Sequence, residues 1–383
     1  MPRNVWVLSS ISLAVAVGYG VVSPVLPMFA TAFGANEMLA GAVISAFALM
    51  RFVFAPAVGR LDDRFGHSRV LMAGILIVAV SSVFTGFARN YAELIVMRGL
   101  GGIGSAMFSI AAMTVLLASV DASHRGRASG LYQGGFLVGA MAGPAIGGVL
   151  AGISMRAPFF FYAGTLFIAA IAALFLRPVA IAEEQKDRRP LGTILHDRRF
   201  LTACLASLSN GWNSNGTRST LVPLFVAAFL AQSPAQAAVM TGVAMAVAAV
   251  VQTALLMPSG WVVDGFGRRV PMVAGALVLA VALAAIPYSP GMVTLTAVLC
   301  LYAAGSAIIG TAPAALVGDA AGPDADRPIA VYSMTGDLGS IVGPLVAGFL
   351  AGHLGYPSAF ALGAILWLAT AAMATAMKPK VRR

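Results

Sequence analysis

Twelve long apolar stretches follow one another along the 383 residues of the chain, separated by short polar joints. A helix needs about 20 apolar residues to cross the hydrocarbon core of a bilayer, and each stretch is close to that length or longer. Only 10% of the residues are charged, compared with about a quarter in soluble domains. The pattern predicts an all-α membrane protein with 12 transmembrane helices, and it excludes a soluble enzyme and a nucleic-acid binder. The stretches lie near residues 5–29, 38–59, 69–88, 92–119, 127–152, 158–176, 200–230, 235–262, 270–288, 291–318, 327–352 and 357–377.

The basic residues fall almost entirely on one side of these spans. If the N-terminus is cytoplasmic, 19 of the 24 lysines and arginines lie in cytoplasmic joints and tails, and only Arg89 and Arg156 lie in outer joints. Because basic loops stay in the cytoplasm, both termini are predicted to face the cytoplasm, and the protein is expected in the cytoplasmic (inner) membrane. The net charge of +10 is then explained by the anionic inner leaflet of the lipid bilayer, without nucleic acid.

The two halves of the chain repeat each other. The sequence GRLDDRFG at 59–66 is matched 201 residues later by GWVVDGFG, and Gly143-Pro144 is matched 200 residues later by Gly343-Pro344. The one long polar joint divides the spans six and six. We therefore predict an N-terminal six-helix bundle at 1–177, a cytoplasmic linker at 178–198 and a C-terminal six-helix bundle at 199–383. Parallel repeats of this kind are typical of transporters that rock two halves about a central site.

The joint after the second span fits the pattern G-x-L-x-D-R-x-G. With this motif and the repeat, the chain resembles the major facilitator superfamily over essentially its whole length, and within it the twelve-helix drug:proton antiporters. The resemblance implies a cytoplasmic gate, and a capped turn without a gating role is the alternative. His67 and Ser68 stand where the family usually has two basic residues. The residues of the gate motif are Gly59, Asp63, Arg64 and Gly66, with Asp264 and Gly267 as their counterparts in the second half.

The fifth span carries glycines at four-residue intervals together with a proline. Such glycines give a smooth helix face for close packing, and a proline bends the helix. The pattern resembles the antiporter signature of the superfamily, which implies export rather than import; ordinary packing of small residues is the alternative. The motif consists of Gly139, Gly143, Pro144, Gly147 and Gly148.

The seventh span is the most polar, with NGWNSNGTRST at residues 210–220. So many amides and hydroxyls cannot face lipid, so they line water, substrate or other helices. We expect the first and seventh spans to be irregular at mid-depth, where such transporters bind substrate. Hydrogen bonding between helices without substrate contact is the alternative. The residues predicted for the substrate wall are Tyr19, Trp212, Asn213, Asn215 and Arg218.

Three arginines and one acid lie deep inside spans: Arg51, Arg98, Arg218 and Asp337. Arg51 and Asp337 are each roughly 12–15 Å from the inner surface, judged from the helical rise. We hypothesise that they form an ion pair between the halves, which protonation of Asp337 releases; a static structural pair or an unrelated cavity acid is the alternative. Arg98 begins an R-x-x-x-G-x-G pattern that resembles a family motif near the proton path. An arginine that snorkels towards the outer surface is the alternative for Arg98.

The resemblance implies a secondary transporter that exports small amphipathic compounds in exchange for protons. With three arginines to one acid inside the spans, neutral or anionic substrates are favoured over purely cationic ones. The alternatives are a dedicated exporter of one metabolite or lipid, an importer or facilitator, and a non-transporting membrane sensor. Nothing predicts a catalytic, nucleotide or metal site: no phosphate-binding loop occurs, and Cys204 and Cys300 lie in apolar runs. We expect no cofactor, a proton gradient as the energy source, and a monomer.

Overall fold

The computed structural model describes residues 2–121, 124–177, 197–310, 312–321 and 326–377, without the side chains of 125–126, 257–266, 319–321 and 326–327. Every regular element in these ranges is helical. The first half contains α1 (Arg3–Val22), α2 (Leu26–Thr31), α3 (Glu37–Phe65), α4 (His67–Phe87), α5 (Tyr91–Ala118), α6 (Arg125–Ile153) and α7 (Ala157–Ala173). The second half contains α8 (Arg198–Gly211), a π-helical segment (Trp212–Leu221), α9 (Val222–Phe229), α10 (Pro234–Phe266), α11 (Arg269–Ala285), α12 (Met292–Ile309), α13 (Ala312–Ala321), α14 (Asp326–Leu354) and α15 (Tyr356–Thr375).

All twelve predicted stretches are helical, so the predicted all-α membrane fold is confirmed. In the described ranges, ten helices are long and apolar enough to cross a bilayer on their own. The other two stretches are α7, a shorter apolar helix, and the continuous run of α8, the π segment and α9. Large apolar side chains such as Ile153, Ile168 and Val293 are exposed, as expected for surfaces that face hydrocarbon.

Local sequence signals set the ends of several helices. The side chains of Asn36 and Asn90 accept hydrogen bonds from backbone N–H groups in the first turns of α3 and α5, both at 2.9 Å. These bonds satisfy donors that have no partner within the helix. Gly66 and Gly267 have φ angles of +85° and +73° at the two repeat-related joints, a conformation that favours glycine. Each tight turn therefore depends on the glycine of its motif.

Arg156, one of the two basic residues predicted in outer joints, has a structural role. Its guanidinium donates hydrogen bonds to the carbonyl groups of Gly86 and Ala88, at 3.0 and 3.1 Å. Carbonyl groups at the end of a helix have no partner within it, so Arg156 caps α4. This accounts for one exception to the charge bias, while the orientation of the termini stays a prediction.

The chain forms two compact units. The first consists of Met1–Glu183 with Val226–Ala246, and the second of Glu184–Phe225 with Val247–Arg383. In the first unit α1 packs against α6 and α7, and α5 packs against α3 and α4. In the second unit α14 packs against α8, the π segment and α15, and α11 packs against α12 and α15. The predicted linker at 178–198 lies almost wholly outside the described residues, and the three-part division of the chain stays a prediction.

The sequence repeat is also a repeat of contacts. The hydroxyl of Ser12 donates to the carbonyl of Tyr132 at 3.0 Å, and that of Ser207 donates to the carbonyl of Tyr332 at 2.9 Å. A Cβ atom on Gly74 would lie 2.6 Å from the carbonyl oxygen of Gly104. The corresponding distance from Gly275 to Gly305 is 2.9 Å. The same small residues therefore bring the same pairs of helices into close contact in both halves.

Candidate functional site

The seventh span changes from an α-helix to a π-helix at its middle, over Trp212–Leu221. The backbone N–H of Val222 bonds to the carbonyl of Thr217, five residues back as in a π-helix. The side-chain hydroxyl of Thr220 donates to the carbonyl of Asn215 at 2.6 Å. The first span is interrupted between α1 and α2, nearer its C-terminal end. The predicted irregularity of both spans is thus observed, at mid-depth in the seventh only. Such π-helical segments are rare and frequently occur at functional sites.

Glycines let the π segment lie directly on the backbone of α14. A Cβ atom on Gly216 would lie 2.7 Å from the carbonyl carbon of Gly343, and one on Gly343 would lie 2.8 Å from the Cα of Trp212. Gly211 and Gly339 make similar approaches to α14 and α8. Because neither helix can take a side chain here, the close packing fixes which faces of the π segment are covered.

One covered face carries Asn213, which is fully buried. Its amide donates to the carbonyls of Ser209 (2.8 Å) and Gly363 (3.3 Å), and its oxygen accepts from the hydroxyl of Thr217 (3.0 Å). These bonds join the π segment to α15. Asn213 therefore makes the hydrogen bonds between helices that are the alternative to a place in the substrate wall. Trp212 is also buried, against α14. Contact of either residue with substrate stays a prediction.

A second face of the π segment is partly open. Ser214, Asn215 and Arg218 are all half-buried. Arg218 interacts electrostatically with the hydroxyl of Tyr302 on α12, and this buried tyrosine is hydrogen-bonded to Ser214. Polar groups that are partly open in the middle of a spanning helix require water or a ligand beside them. Of the four residues predicted on the seventh span, Asn215 and Arg218 therefore have the better geometry for lining a cavity.

In the first unit the structure brings together two predicted residues and one that sequence reasoning missed. The guanidinium of Arg98 on α5 interacts electrostatically with the hydroxyls of Tyr162 on α7 and Tyr19 on α1. Tyr162 is buried, and its ring packs on the bare backbone of Gly18. The two tyrosines and the arginine thus lie within electrostatic range of one another. The signal that the sequence offered for Tyr162 was a tyrosine within an otherwise apolar span.

The glycines of the fifth span pack on two neighbours. A Cβ atom on Gly139 would lie 2.6 Å from the carbonyl oxygen of Leu13, and one on Gly143 would lie 2.5 Å from the Cα of Gly20. Gly147 makes an equally close approach to α1, and a Cβ atom on Gly148 would lie 3.0 Å from the carbonyl of Ala238. Pro144 lies inside α6. The motif is therefore the contact surface of α6 with α1 and with the start of α10.

The gate motif forms the end of α3 and the turn into α4. Asp63 and Arg64 are exposed, as are Gly59 and Gly66. The buried acid of the motif is instead Asp62, whose Oδ2 lies 3.0 Å from Nδ1 of His67, while its Oδ1 has no hydrogen-bond partner among the described residues. The motif alone does not show that the buried acid is Asp62. The side chain of Asp264 lies outside the described residues.

The two residues of the hypothesised ion pair belong to different units. Arg51 on α3 is exposed although it lies well inside a span, and it interacts electrostatically with Tyr132 on α6. Asp337 on α14 is half-buried. The position that repeats Arg51 is Gln252, which donates a hydrogen bond to Ser306 at 3.2 Å. The ion pair stays a prediction.

The comparison with known proteins finds one family and several relatives. The model of the Major Facilitator Superfamily matches residues 8–225 and 204–383. Multidrug resistance protein 2 of Bacillus subtilis (strain 168) is 26% identical over 368 residues, covering 92% of this chain and 90% of the relative. Quinolone resistance protein NorA of Staphylococcus aureus (strain MRSA252) is 30% identical over 207 residues, covering 53% of this chain and 51% of the relative.

Two solved structures share the fold. A bacterial homologue of the human lysosomal transporter Spinster, inward-facing and unoccupied, superposes with a TM-score of 0.75 at 18% identity, covering 97% of this chain and 94% of the other. A point mutant of the nucleoside transporter NupG superposes with a TM-score of 0.77 at 14% identity, covering 98% of this chain and 99% of the other. At these identities the likeness concerns the fold alone.

Proposed function

Since this chain belongs to the major facilitator superfamily, and is thus a multi-pass membrane transporter of small molecules and not an enzyme, we propose that it exports amphipathic compounds in exchange for protons. The partly open polar face of the π segment carries this proposal, because Asn215 and Arg218 lie at mid-span. Such polar groups would be unfavourable on a helix that faces lipid, because lipid offers them no hydrogen-bond partners. The names of the two bacterial relatives, a multidrug resistance protein and a quinolone resistance protein, favour drug export.

Proton coupling is assigned to Asp337 and Arg51. An exposed arginine inside a span cannot face hydrocarbon, so Arg51 requires a water-filled cavity or an anionic partner. Asp337, at similar depth on α14, is the acid that can take up a proton there. Protonation would remove the charge that holds Arg51 and would bias the equilibrium between two states. The repeat-related positions, Gln252 and Leu137, carry no charge. The proposed coupling therefore involves only α3 and α14, and not the helices related to them by the repeat.

The proposed substrates are neutral or anionic, and the proposed site of action is the cytoplasmic membrane, with both termini in the cytoplasm and the protein acting as a monomer. Arg218, interacting with Tyr302, supports this preference, because an arginine on a cavity wall repels cations. Export rather than import is supported by the resemblance of the fifth span, with Gly139, Gly143 and Gly147, to the antiporter signature.

Uptake into inverted membrane vesicles under an imposed pH gradient, acid inside, tests the proposal. A panel of neutral and anionic amphipathic dyes is compared for the wild type, Asp337→Asn and Glu93→Gln. Glu93 is the control because its carboxylate caps the start of α5. We expect gradient-driven uptake in the wild type and in Glu93→Gln, and none in Asp337→Asn. Equal uptake in all three would move coupling away from Asp337, and no uptake of any dye would favour a dedicated exporter of one metabolite or lipid.

A further inference from the structure

Arg98 is a buried cation whose surroundings, as far as the structure describes them, hold no carboxylate partner. Its side chain is 6% exposed, and it lies seven residues from the start of α5 at Tyr91, which is about 10 Å along the helix. Among the described residues no acidic group pairs with Arg98, and its Nε has no hydrogen-bond acceptor. The nearby acid of the same helix, Glu93, accepts hydrogen bonds from Arg89 and Asn90. An unpaired buried charge is strongly unfavourable, so this site calls for an anion.

The surroundings hold the guanidinium in place. It lies over the ring of Phe47 on α3, with 4.6 Å between Cζ and the ring centroid. This cation–π contact offsets part of the cost of burial but supplies no negative charge. A Cβ atom on Gly102 would clash with the backbone of Phe47, so α3 and α5 are in direct contact one turn further on. The guanidinium is therefore held against α3.

Two tyrosine hydroxyl groups lie within electrostatic range of the guanidinium. Tyr162 and Tyr19 both interact electrostatically with Arg98 and with each other. A phenol hydroxyl can donate a hydrogen bond to an anion, and a guanidinium binds a carboxylate through two parallel N–H groups. Tyr162 is buried and fixed against Gly18, whereas Tyr19 is half-exposed. Of the two tyrosines, Tyr19 is therefore the more accessible.

We propose that Arg98, Tyr162 and Tyr19 form an anion site that binds the carboxylate or sulfonate head group of an amphipathic substrate. The inference rests on the proposed function and makes amphipathic acids the substrates that bind most tightly. The repeat provides an internal comparison: the position equivalent to Arg98, 201 residues later, is Leu299. The site therefore belongs to the first unit alone, and one acid is expected to bind per chain.

Fluorescence titration in lipid nanodiscs tests the site with two matched probes, dansyl-aminoundecanoic acid and its uncharged primary amide. In the wild type we expect tighter binding of the acid. Arg98→Gln should weaken the acid at least tenfold and change the amide less than twofold; Tyr162→Phe should weaken the acid several-fold. Tyr91→Phe is the control. It removes a hydroxyl from the helix that carries Arg98, but this hydroxyl donates to the carbonyl of Leu39.

Three results would overturn the anion site. In the first, the wild type binds the acid no more tightly than the amide, or binds neither. In the second, Arg98→Gln loses as much affinity for the amide as for the acid. In the third, Arg98→Gln binds the acid as tightly as the wild type does. Arg98→Lys separates charge from geometry, since it should recover part of the acid affinity. The titration uses no gradient. Acid-selective binding without proton-driven uptake in vesicles would thus contradict the proposed export and leave the anion site standing.

Discussion

Asn213 uses its whole amide group to connect the π segment with α15. Its two donors reach the carbonyls of Ser209 and Gly363, and its oxygen accepts from Thr217. Because the carbonyl of Gly363 would lose a buried donor, Asn213→Ala is expected to reduce the free energy of unfolding by about 1–3 kcal/mol. Thermal unfolding of the purified protein in detergent measures the loss.

Asn210→Ala is the matched control for this prediction. Asn210 is exposed on the same span, so its replacement should leave the unfolding temperature nearly unchanged. If Asn213→Ala were as stable as the wild type but bound substrate more weakly, Asn213 would line the cavity instead of joining two helices.

Single residues also show where sequence reasoning ends. The polarity of residues 210–220 predicts a span that avoids lipid, but a composition cannot tell which side chains meet a neighbouring helix. That division depends on Gly211 and Gly216, which bring α14 against the π segment. Tyr162 was missed for a similar reason, since its position beside Arg98 depends on α7 packing against α1. The signature motif predicts its turn at Gly66, but not that Asp62 is the buried acid.

At the scale of elements, the α1–α6 contact depends on glycine at chosen positions. Gly143→Ala would place a Cβ atom 2.5 Å from the Cα of Gly20, so α1 and α6 would have to separate. Overpacking of this kind costs about 1–3 kcal/mol of folding free energy. We expect a lower unfolding temperature and reduced uptake of substrate in vesicles.

Gly134→Ala in the same helix is the control, since no heavy atom lies within 4 Å of a Cβ atom placed on Gly134. Removing a helical glycine without a clash should leave stability unchanged or raise it by up to about 1 kcal/mol. If Gly143→Ala were as stable as Gly134→Ala, the close contact of α1 with α6 would be wrong.

The elements themselves were largely predictable. Apolar stretches of spanning length and short polar joints mark all twelve helical stretches, because a bilayer requires both length and apolar composition. The π-helical form of residues 212–221 was not predictable, beyond an expected irregularity. We attribute this form, in which the N–H of Val222 bonds to the carbonyl of Thr217 five positions back, to packing against α14, which a hydrophobicity pattern does not record.

At the scale of the whole molecule, a symmetric set of contacts carries an asymmetric set of charges. Ser12 and Ser207 make equivalent hydrogen bonds, and Gly74 and Gly275 make equivalent helix contacts. In contrast, Arg51 corresponds to Gln252, and Asp337 corresponds to Leu137. Repeated frames support two equivalent states of a transporter. Under the proposed coupling, charges present in only one copy bias those states in response to protons.

The proposed pair makes a specific prediction about exchange of charges. Arg51→Ala and Asp337→Ala should each impair proton-driven uptake, because each leaves one charge without its partner. The double variant Arg51→Asp with Asp337→Arg should recover part of the uptake lost in either single reversal. Independent losses without recovery would show that the two residues do not interact.

Substrate-driven proton movement in proteoliposomes tests the central claim of proton exchange most directly. Purified protein is reconstituted with a pH-sensitive dye inside, and an uncharged amphipathic compound that the vesicles take up is added outside. Entry of the compound in exchange for protons should make the lumen alkaline with the wild type, and not with Asp337→Asn or protein-free liposomes. The account would be contradicted if the compound entered with the wild type and the lumenal pH did not change. It would also be contradicted if the lumenal pH changed as much with Asp337→Asn as with the wild type.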